Sequence, residues 1–435
     1  MAEVFLSKNN HTLAGEELSV FSTFPVWQVL IIVGFISWLY VSRLSMLTVR
    51  LRSILQPYVV KRVERSVPFL VRLQGAHSPT LDILLSSLSY SVSVEFYTTF
   101  LPLLFWAGYP RLARGMVLLM ALCIYLGNCV KDIVSAPRPP SPPVRKLLAT
   151  HAEEESSQEY GLPSSHTINS LCLAGFLLHY INEKDVSTFW PTSALVGVLI
   201  FGVLYGRLYL GMHSPVDVIV GAVMGVCILT FWCSIEKSLD AFVVHGENVP
   251  SFWAAMAVLL LFAYPSPERQ NPSFEFHTAF NGVAFGVVAG VHRTYALYHH
   301  DAVQAVPLTS VAGVQTLILR LLVGLPLCLA VKAVVKELAI RILPSLCNLL
   351  GLQIRSTAYV KVIHVEEISL KEKTKINGDG SETVDSRRSG YLLRFLQTFE
   401  DDVLDVDTGI RALQYAGLGW SVVELAPQVY SYLNL

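Results

Sequence analysis

Residues 192–235 read TSALVGVLIFGVLYGRLYLGMHSPVDVIVGAVMGVCILTFWCSI. Two apolar runs in it, 192–210 and 216–235, approach the roughly 20 helical residues that a bilayer core demands. Beside the turn that joins them stand Arg207, His213 and Asp217. Ionisable side chains at the ends of membrane helices are costly, so function is the first reading of such a group. Only helices and closed barrels satisfy the backbone in lipid. No barrel-type alternation is present, so an all-α, multi-pass transmembrane helical bundle is predicted.

Two further charged motifs lie upstream. KDIVSAPRP (131–139) follows the apolar run 114–130, and PSSH (163–166) opens the run 167–181. Two crossings, 167–181 and 192–210, separate PSSH from His213. All three motifs therefore emerge on one face of the membrane, whatever its absolute orientation. Other apolar runs, at 24–41, 83–107, 251–264, 279–291, 317–335 and 409–432, raise the expected total to about eight to ten spans.

Bulk properties agree. Of the 435 residues 53% are hydrophobic and 15% charged, against about 25% charged in soluble domains. A formal net charge of −1 provides no field for nucleic acid. The seven cysteines form no CxxC or Cys/His cluster, so neither disulfides nor structural zinc is expected. Residues 1–23 are expected to be a tail carrying the Asn10-His11-Thr12 sequon, and 24–235 a membrane core of six apolar runs that holds all three charged motifs. A further transmembrane region (236–366), a polar disordered linker (367–390) and a terminal helical region with the last span (391–435) follow. The run 24–41 has no cleavage site after it and is expected to remain as an anchor. The link 41–80 carries Arg43, Arg50, Arg52, Lys61, Arg62, Arg65 and Arg72, and reads as an interfacial segment beside anionic lipid. Glu153, Glu154, Glu155 and Glu159 read as a solvated acidic loop without two-metal spacing. His277, His292, His299 and His300 have no ligand spacing and read as structural.

The residue types suit phosphoryl transfer, in which negative charge develops on the non-bridging oxygens and fixed cations stabilise it. Lys131, Arg138 and Arg207 supply cations, the arginines as two-pronged donors. Ser164-Ser165-His166 starts a helix, where unpaired backbone N–H groups attract anions. If the next helix begins at Ser214-Pro215, His213 caps it and Asp217 lies one turn on. Asp217 can then orient one imidazole nitrogen and leave the other to attack. His166 remains to protonate the leaving alkoxide.

The pattern Lys-x6-Arg-Pro, Pro-Ser-x-His and Arg-x5-His-x3-Asp resembles the type-2 phosphatidic acid phosphatase superfamily, which also contains vanadium haloperoxidases. GLPSSHT (161–167) and GRLYLGMHSPVDVIVG (206–221) are similar to its sphingosine-1-phosphate phosphatase branch. FYTTFLPLLFWAGYPRLAR (96–114), YLGNCVKDIVSAPRPPSPPVR (125–145), YPSPERQNPSFEFHTAFNG (264–282) and DVDTGIRALQYAGLGWSVVEL (405–425) resemble the plant-type long-chain-base 1-phosphate phosphatases. The resemblance implies Lys131, Arg138 and Arg207 as phosphate-gripping cations and Ser164 as a hydroxyl donor. It implies His166 as acid, His213 as the nucleophile that becomes phosphohistidine, and Asp217 as its partner. Ser165 stands where Gly is usual, with its amide still available, and Gly206 stands where Ser is usual.

Also implied is a metal-independent enzyme of the endoplasmic reticulum membrane that needs no cofactor and acts on phosphorylated sphingoid bases from the lumenal side. Positive-inside counting on the basic link 41–80 instead puts the motif face in the cytosol. The alternatives are a broad phosphatase acting on phosphatidate, a vanadate haloperoxidase, and a silent transporter or scaffold. The region after 235 is a candidate lipid-access groove or homodimer contact.

Overall fold

The structure, a computed structural model, describes residues 25–148, 154, 157–184, 186–269, 271–300, 305–307, 309–356, 358–359 and 403–435. The tail, its sequon, Glu153, Glu155 and the polar linker lie outside the described residues.

Helix α1 (Val26–Leu44) meets α2 (Leu47–Gln74) at a 63° bend, where Met46 takes a left-handed conformation at φ 46°. Most of the basic link is one 28-residue helix. It buries Val59 and Val63 against Val134, Ala136 and Leu162, beneath the motif loops.

The apolar run 83–107 is two helices, α3 (Pro79–Tyr90) and α4 (Val94–Trp106). Ser93 interrupts it: its Oγ accepts from Phe96 N at 3.2 Å and so starts a new helix. Helix α5 (Pro110–Val134), the most enclosed of the long apolar helices, ends where Ser135 turns left-handed at φ 50°. Then come α6 (Ser165–Lys184), α7 (Val186–Tyr209), α8 (Pro215–His245), α9 (Val249–Phe262) and α10 (Ser273–Thr294). A π-helical turn at Tyr295–His299 leads toward the 39-residue α11 (Val311–Leu349). Strands β1 (Gln353–Arg355) and β2 (Val403–Asp405) pair in parallel. Helix α12 (Val406–Trp420), a π-helical turn (Ser421–Leu425) and α13 (Ala426–Leu433) close the chain.

The chain is a multi-pass membrane protein. Among the described residues, α5, the 187–209 stretch of α7, α8 and α11 are long and apolar enough to cross a bilayer, and the bent α1–α2 pair adds a fifth if it is one span. This is fewer than the apolar runs predicted. The run 83–107 is broken, α9 has 14 residues, and α10 mixes Glu275, His277, His292 and Arg293 among its apolar positions. Phe201 at 69% exposure and Val198 at 68% give α7 an apolar outer surface suited to lipid.

The C-terminal helices do not form a separate region. One core joins Met116, Leu119 and Phe176 to Val287, Val423 and Tyr430. Trp106 Nε1 donates to Val422 O at 3.1 Å, across 316 residues of sequence. Helices α10 and α12 touch through small residues. A Cβ on Gly286 would stand 2.0 Å from Ala416 O, so only glycine permits this approach.

Charge sits at the two ends of the bundle. At one end Arg111 pairs with Glu236 at 3.1 Å and Arg114 pairs with Asp240. At the other, α5 ends on Lys131. Arg114 and Lys131 are separated by about 25 Å of helix, close to the hydrocarbon thickness of a bilayer.

Candidate active site

The ends of α5 and α7 and the starts of α6 and α8 meet at one end of the bundle. Lys131, on the last turn of α5, is buried and its Nζ donates to Glu159 Oε2. Arg138, three residues past the left-handed Ser135, is the hub. Its Nε donates to Glu159 O at 3.0 Å and its Nη1 to Met212 O at 2.7 Å. Nη1 also lies 3.0 Å from His213 Nε2. Since guanidinium only donates, Nε2 is the accepting nitrogen and the imidazole proton is assigned to Nδ1.

His213 Nδ1 lies 3.6 Å from Asp217 Oδ2, within ion-pair reach and longer than a hydrogen bond. The expectation that His213 caps α8 is corrected: Ser214 is the cap. Ser214 Oγ accepts from Asp217 N at 3.4 Å, and Asp217 Oδ2 accepts from Ser214 N at 2.7 Å. A serine hydroxyl reaches the third amide of a helix with better geometry than an imidazole. Asp217 therefore holds the helix start and faces the imidazole together.

Arg207 is fully buried on the last turn of α7, and its carbonyl accepts from both Met212 N and His213 N at 3.2 Å. This folds the turn back so that His213 lies over the arginine. Farther out, Gln74 Nε2 donates to Arg145 O at 2.7 Å and Tyr209 O at 2.9 Å, holding both loops.

Ser164 is the cap of α6, its Oγ accepting from Thr167 N at 3.4 Å. Its own N–H donates to Asp217 O at 3.1 Å, joining motif two to motif three. Ser165 and His166 begin α6, and the first amides of a helix have no intrahelical acceptor. A Cβ on Gly221 would stand 3.0 Å from Ser164 O, so glycine lets α8 lie against this helix start.

Burial, first, pushes the His213 pKa well below its ordinary value, and Arg138, Arg207, Lys131 and His166 add to the shift. Burial, first, and then Arg207, Lys131 and Arg138 push the His166 pKa well below its ordinary value as well; a phosphate dianion among those cations would offset the shift. The structure thus brings Lys131, Arg138, Ser164, Ser165, His166, Arg207, His213 and Asp217 into one neighbourhood. It pairs a neutral imidazole with an orienting carboxylate, and sets cations and helix-start amides around them. Such a set can hold a tetrahedral dianion and present a nitrogen nucleophile to it.

Glu159 corrects a second expectation. It is buried against Lys131 rather than solvated, whereas Glu154 is exposed. Asp132, Tyr264 and Asn271 were also missed. Asp132 is buried beside Lys131 and accepts from Tyr264 Oη at 2.6 Å and Asn271 Nδ2 at 2.8 Å. The histidines after 235 make structural contacts: His299 Nε2 lies 2.6 Å from Val423 O, and His277 stacks on Tyr264.

The sequence profile of the PAP2 superfamily matches residues 112–239, which contain every predicted site residue. The chain is 46% identical to lipid phosphate phosphatase delta of Arabidopsis thaliana, over 94% of this chain and 97% of that protein. It is 32% identical to a dihydrosphingosine 1-phosphate phosphatase of Saccharomyces cerevisiae, over 53% of this chain and 57% of that one. It is 29% identical to sphingosine-1-phosphate phosphatase 1 of Rattus norvegicus, over 59% of each. No solved structure matches. A matched profile over the motif-bearing helices, together with a relative aligned along nearly the whole chain, makes this protein a member of the PAP2 superfamily, whose relatives here are lipid phosphate and sphingosine-1-phosphate phosphatases.

Proposed function

We propose that this membrane enzyme hydrolyses long-chain-base 1-phosphates to free base and inorganic phosphate through a phosphohistidine. The observation that carries the reading is the buried contact of Arg138 with His213 Nε2, backed by Asp217 on the far side of the ring. In the proposed sequence the substrate phosphate takes over the donors of Lys131, Arg138 and Arg207, the Ser164 hydroxyl and the first amides of α6. Movement of Arg138 onto a phosphate oxygen frees the Nε2 lone pair. Nε2 attacks phosphorus, the P–O bond to the base breaks, and His166 gives its proton to the alkoxide. Asp217 stabilises the imidazolium. His166 then removes a proton from water, which attacks phosphorus, breaks the P–N bond and releases phosphate.

The choice of a sphingoid base rests on the names of the yeast and rat relatives. Residence in the endoplasmic reticulum, activity without a metal, and a homodimer belong to the same proposal and follow the resemblance.

The test is phosphate release by purified protein from sphinganine 1-phosphate and phosphatidate, with and without EDTA. The expected result is preference for the sphingoid substrate, insensitivity to EDTA, loss of at least about 10³-fold in His213→Ala and of about 10²- to 10⁴-fold in His166→Ala. Undiminished turnover by His213→Ala removes the nucleophile, and equal use of phosphatidate makes the enzyme a broad lipid phosphatase.

A further inference from the structure

The chain between α9 and α10 runs across the catalytic loops. Tyr264 and Asn271 hold the two oxygens of Asp132, the residue after Lys131. Glu268 N donates to Ser135 Oγ at 3.2 Å, and that hydroxyl donates to Asp132 O at 2.8 Å. Arg269 N donates to Tyr160 Oη at 2.8 Å, next to Glu159. Ser273 O accepts from Asn128 Nδ2 on α5 at 2.9 Å. Helix α2 closes the arrangement from the other side. Arg52 donates to Asp132 O at 2.8 Å, to Ile133 O at 3.2 Å and to Ser266 O at 2.5 Å. Gln56 Nε2 bridges Ser135 O at 2.9 Å and Glu268 Oε2 at 2.6 Å.

The last carbonyls of a helix have no intrahelical donor, and such an end frays unless something outside holds it. Here Ser135 N donates to Lys131 O at 2.8 Å, while the Asp132 and Ile133 carbonyls and both Asp132 side-chain oxygens are held by residues far away in sequence. Catalytic groups lose their effect when displaced by about an ångström. We infer that residues 264–269 and 271–273 form a positioning strap: through Asp132 and Ser135 they keep Lys131 and Arg138 in register with His213, so the C-terminal helices complete the phosphate pocket. Tyr264, Asn271 and Asp132 are positioning residues that act through the cations and do not touch substrate. The inference rests on the reading of this pocket as a phosphate site.

The test uses the full-length protein in detergent, with inorganic phosphate and orthovanadate as competitive probes of the pocket. Tyr264→Phe removes one hydroxyl and Asn271→Ala one amide. The exchange Asp132→Asn with Asn271→Asp rebuilds the pair with donor and acceptor reversed and leaves an oxygen for Ser273 N, which now donates to Asn271 Oδ1 at 2.8 Å. Each single variant should weaken inhibition by phosphate and vanadate about tenfold, with at least that loss in kcat/KM and little change in melting temperature. The exchange should recover most of the loss, which a merely structural role does not predict. Wild-type inhibition constants in both single variants overturn the strap, as does an exchange no better than Asp132→Asn alone. So does a variant that melts early yet binds the probes normally when folded. If the unaltered protein binds neither probe, the reading of the pocket fails instead.

Discussion

Glu159 balances the charge of Lys131. Lys131 is a buried ammonium whose carboxylate partner lies 28 residues away in sequence. Removing one partner of a buried ion pair costs about 3–5 kcal/mol, because the other charge is left uncompensated. Glu159→Gln should therefore lower the melting temperature of the free enzyme. Bound phosphate supplies the missing negative charge, so added inorganic phosphate should raise the melting temperature more in Glu159→Gln than in the unaltered protein. Melting curves across a phosphate titration check this, and equal responses show that Lys131 does not exchange Glu159 for phosphate. His213 gives a pH prediction. In the proposed mechanism it attacks when neutral, and burial with neighbouring cations depresses its pKa. A depressed pKa means that protonation waits for lower pH. The value of kcat/KM, which reports the groups of the free enzyme, should stay level as pH falls past the ordinary imidazole value near 6.5 and drop only below it. Arg138→Gln removes a cation, and its acid limb should move up toward 6.5. The motif residues were legible because each is a costly ion at a helix end with a partner motif at fixed spacing. Glu159 was hidden in a glutamate-rich run, and Asp132 finds Tyr264 and Asn271 only 132 and 139 residues later, where no local pattern reaches.

At the scale of elements, the start of α8 joins fold to chemistry. Ser214 and Asp217 bond reciprocally, and the same carboxylate faces His213. Ser214→Ala should cost about 1 kcal/mol of stability as a lost cap. It should also lower kcat more than it raises KM, because Asp217 loses the bond that aims it. Melting and steady-state kinetics on one preparation separate the two effects; a change in stability alone confines Ser214 to capping. Apolar periodicity located α5, α7 and α8 well, since each is long and unbroken. It joined α3 to α4 because a serine cap within an apolar run leaves hydrophobicity almost unchanged while redirecting backbone hydrogen bonds. It did not show that Val59 and Val63 give the basic link a buried face under the catalytic loops.

At the scale of the molecule, apolar runs say nothing about which helices share a core. Helix α10 is the joint between the two halves. It packs on α5 within the main core, on α12 through Gly286, and its first residue anchors the strap to Asn128. A methyl at position 286 meets a backbone carbonyl at 2.0 Å, which a side-chain adjustment cannot relieve, so α10 and α12 must part. Overpacking of this kind costs about 1–3 kcal/mol or more. The displacement runs along α10 toward the strap and the pocket. Gly286→Ala should therefore lower melting temperature and turnover together, although its site lies outside the catalytic loops. Gly197 on α7 is the control: nothing stands within 4 Å of a Cβ there, and alanine favours a helix interior, so Gly197→Ala should leave turnover unchanged and should not lower the melting temperature. Melting and phosphate release measured on the two variants decide the point. If Gly286→Ala behaves like Gly197→Ala, the catalytic end does not depend on the C-terminal helices, and the two halves of the chain are separable after all.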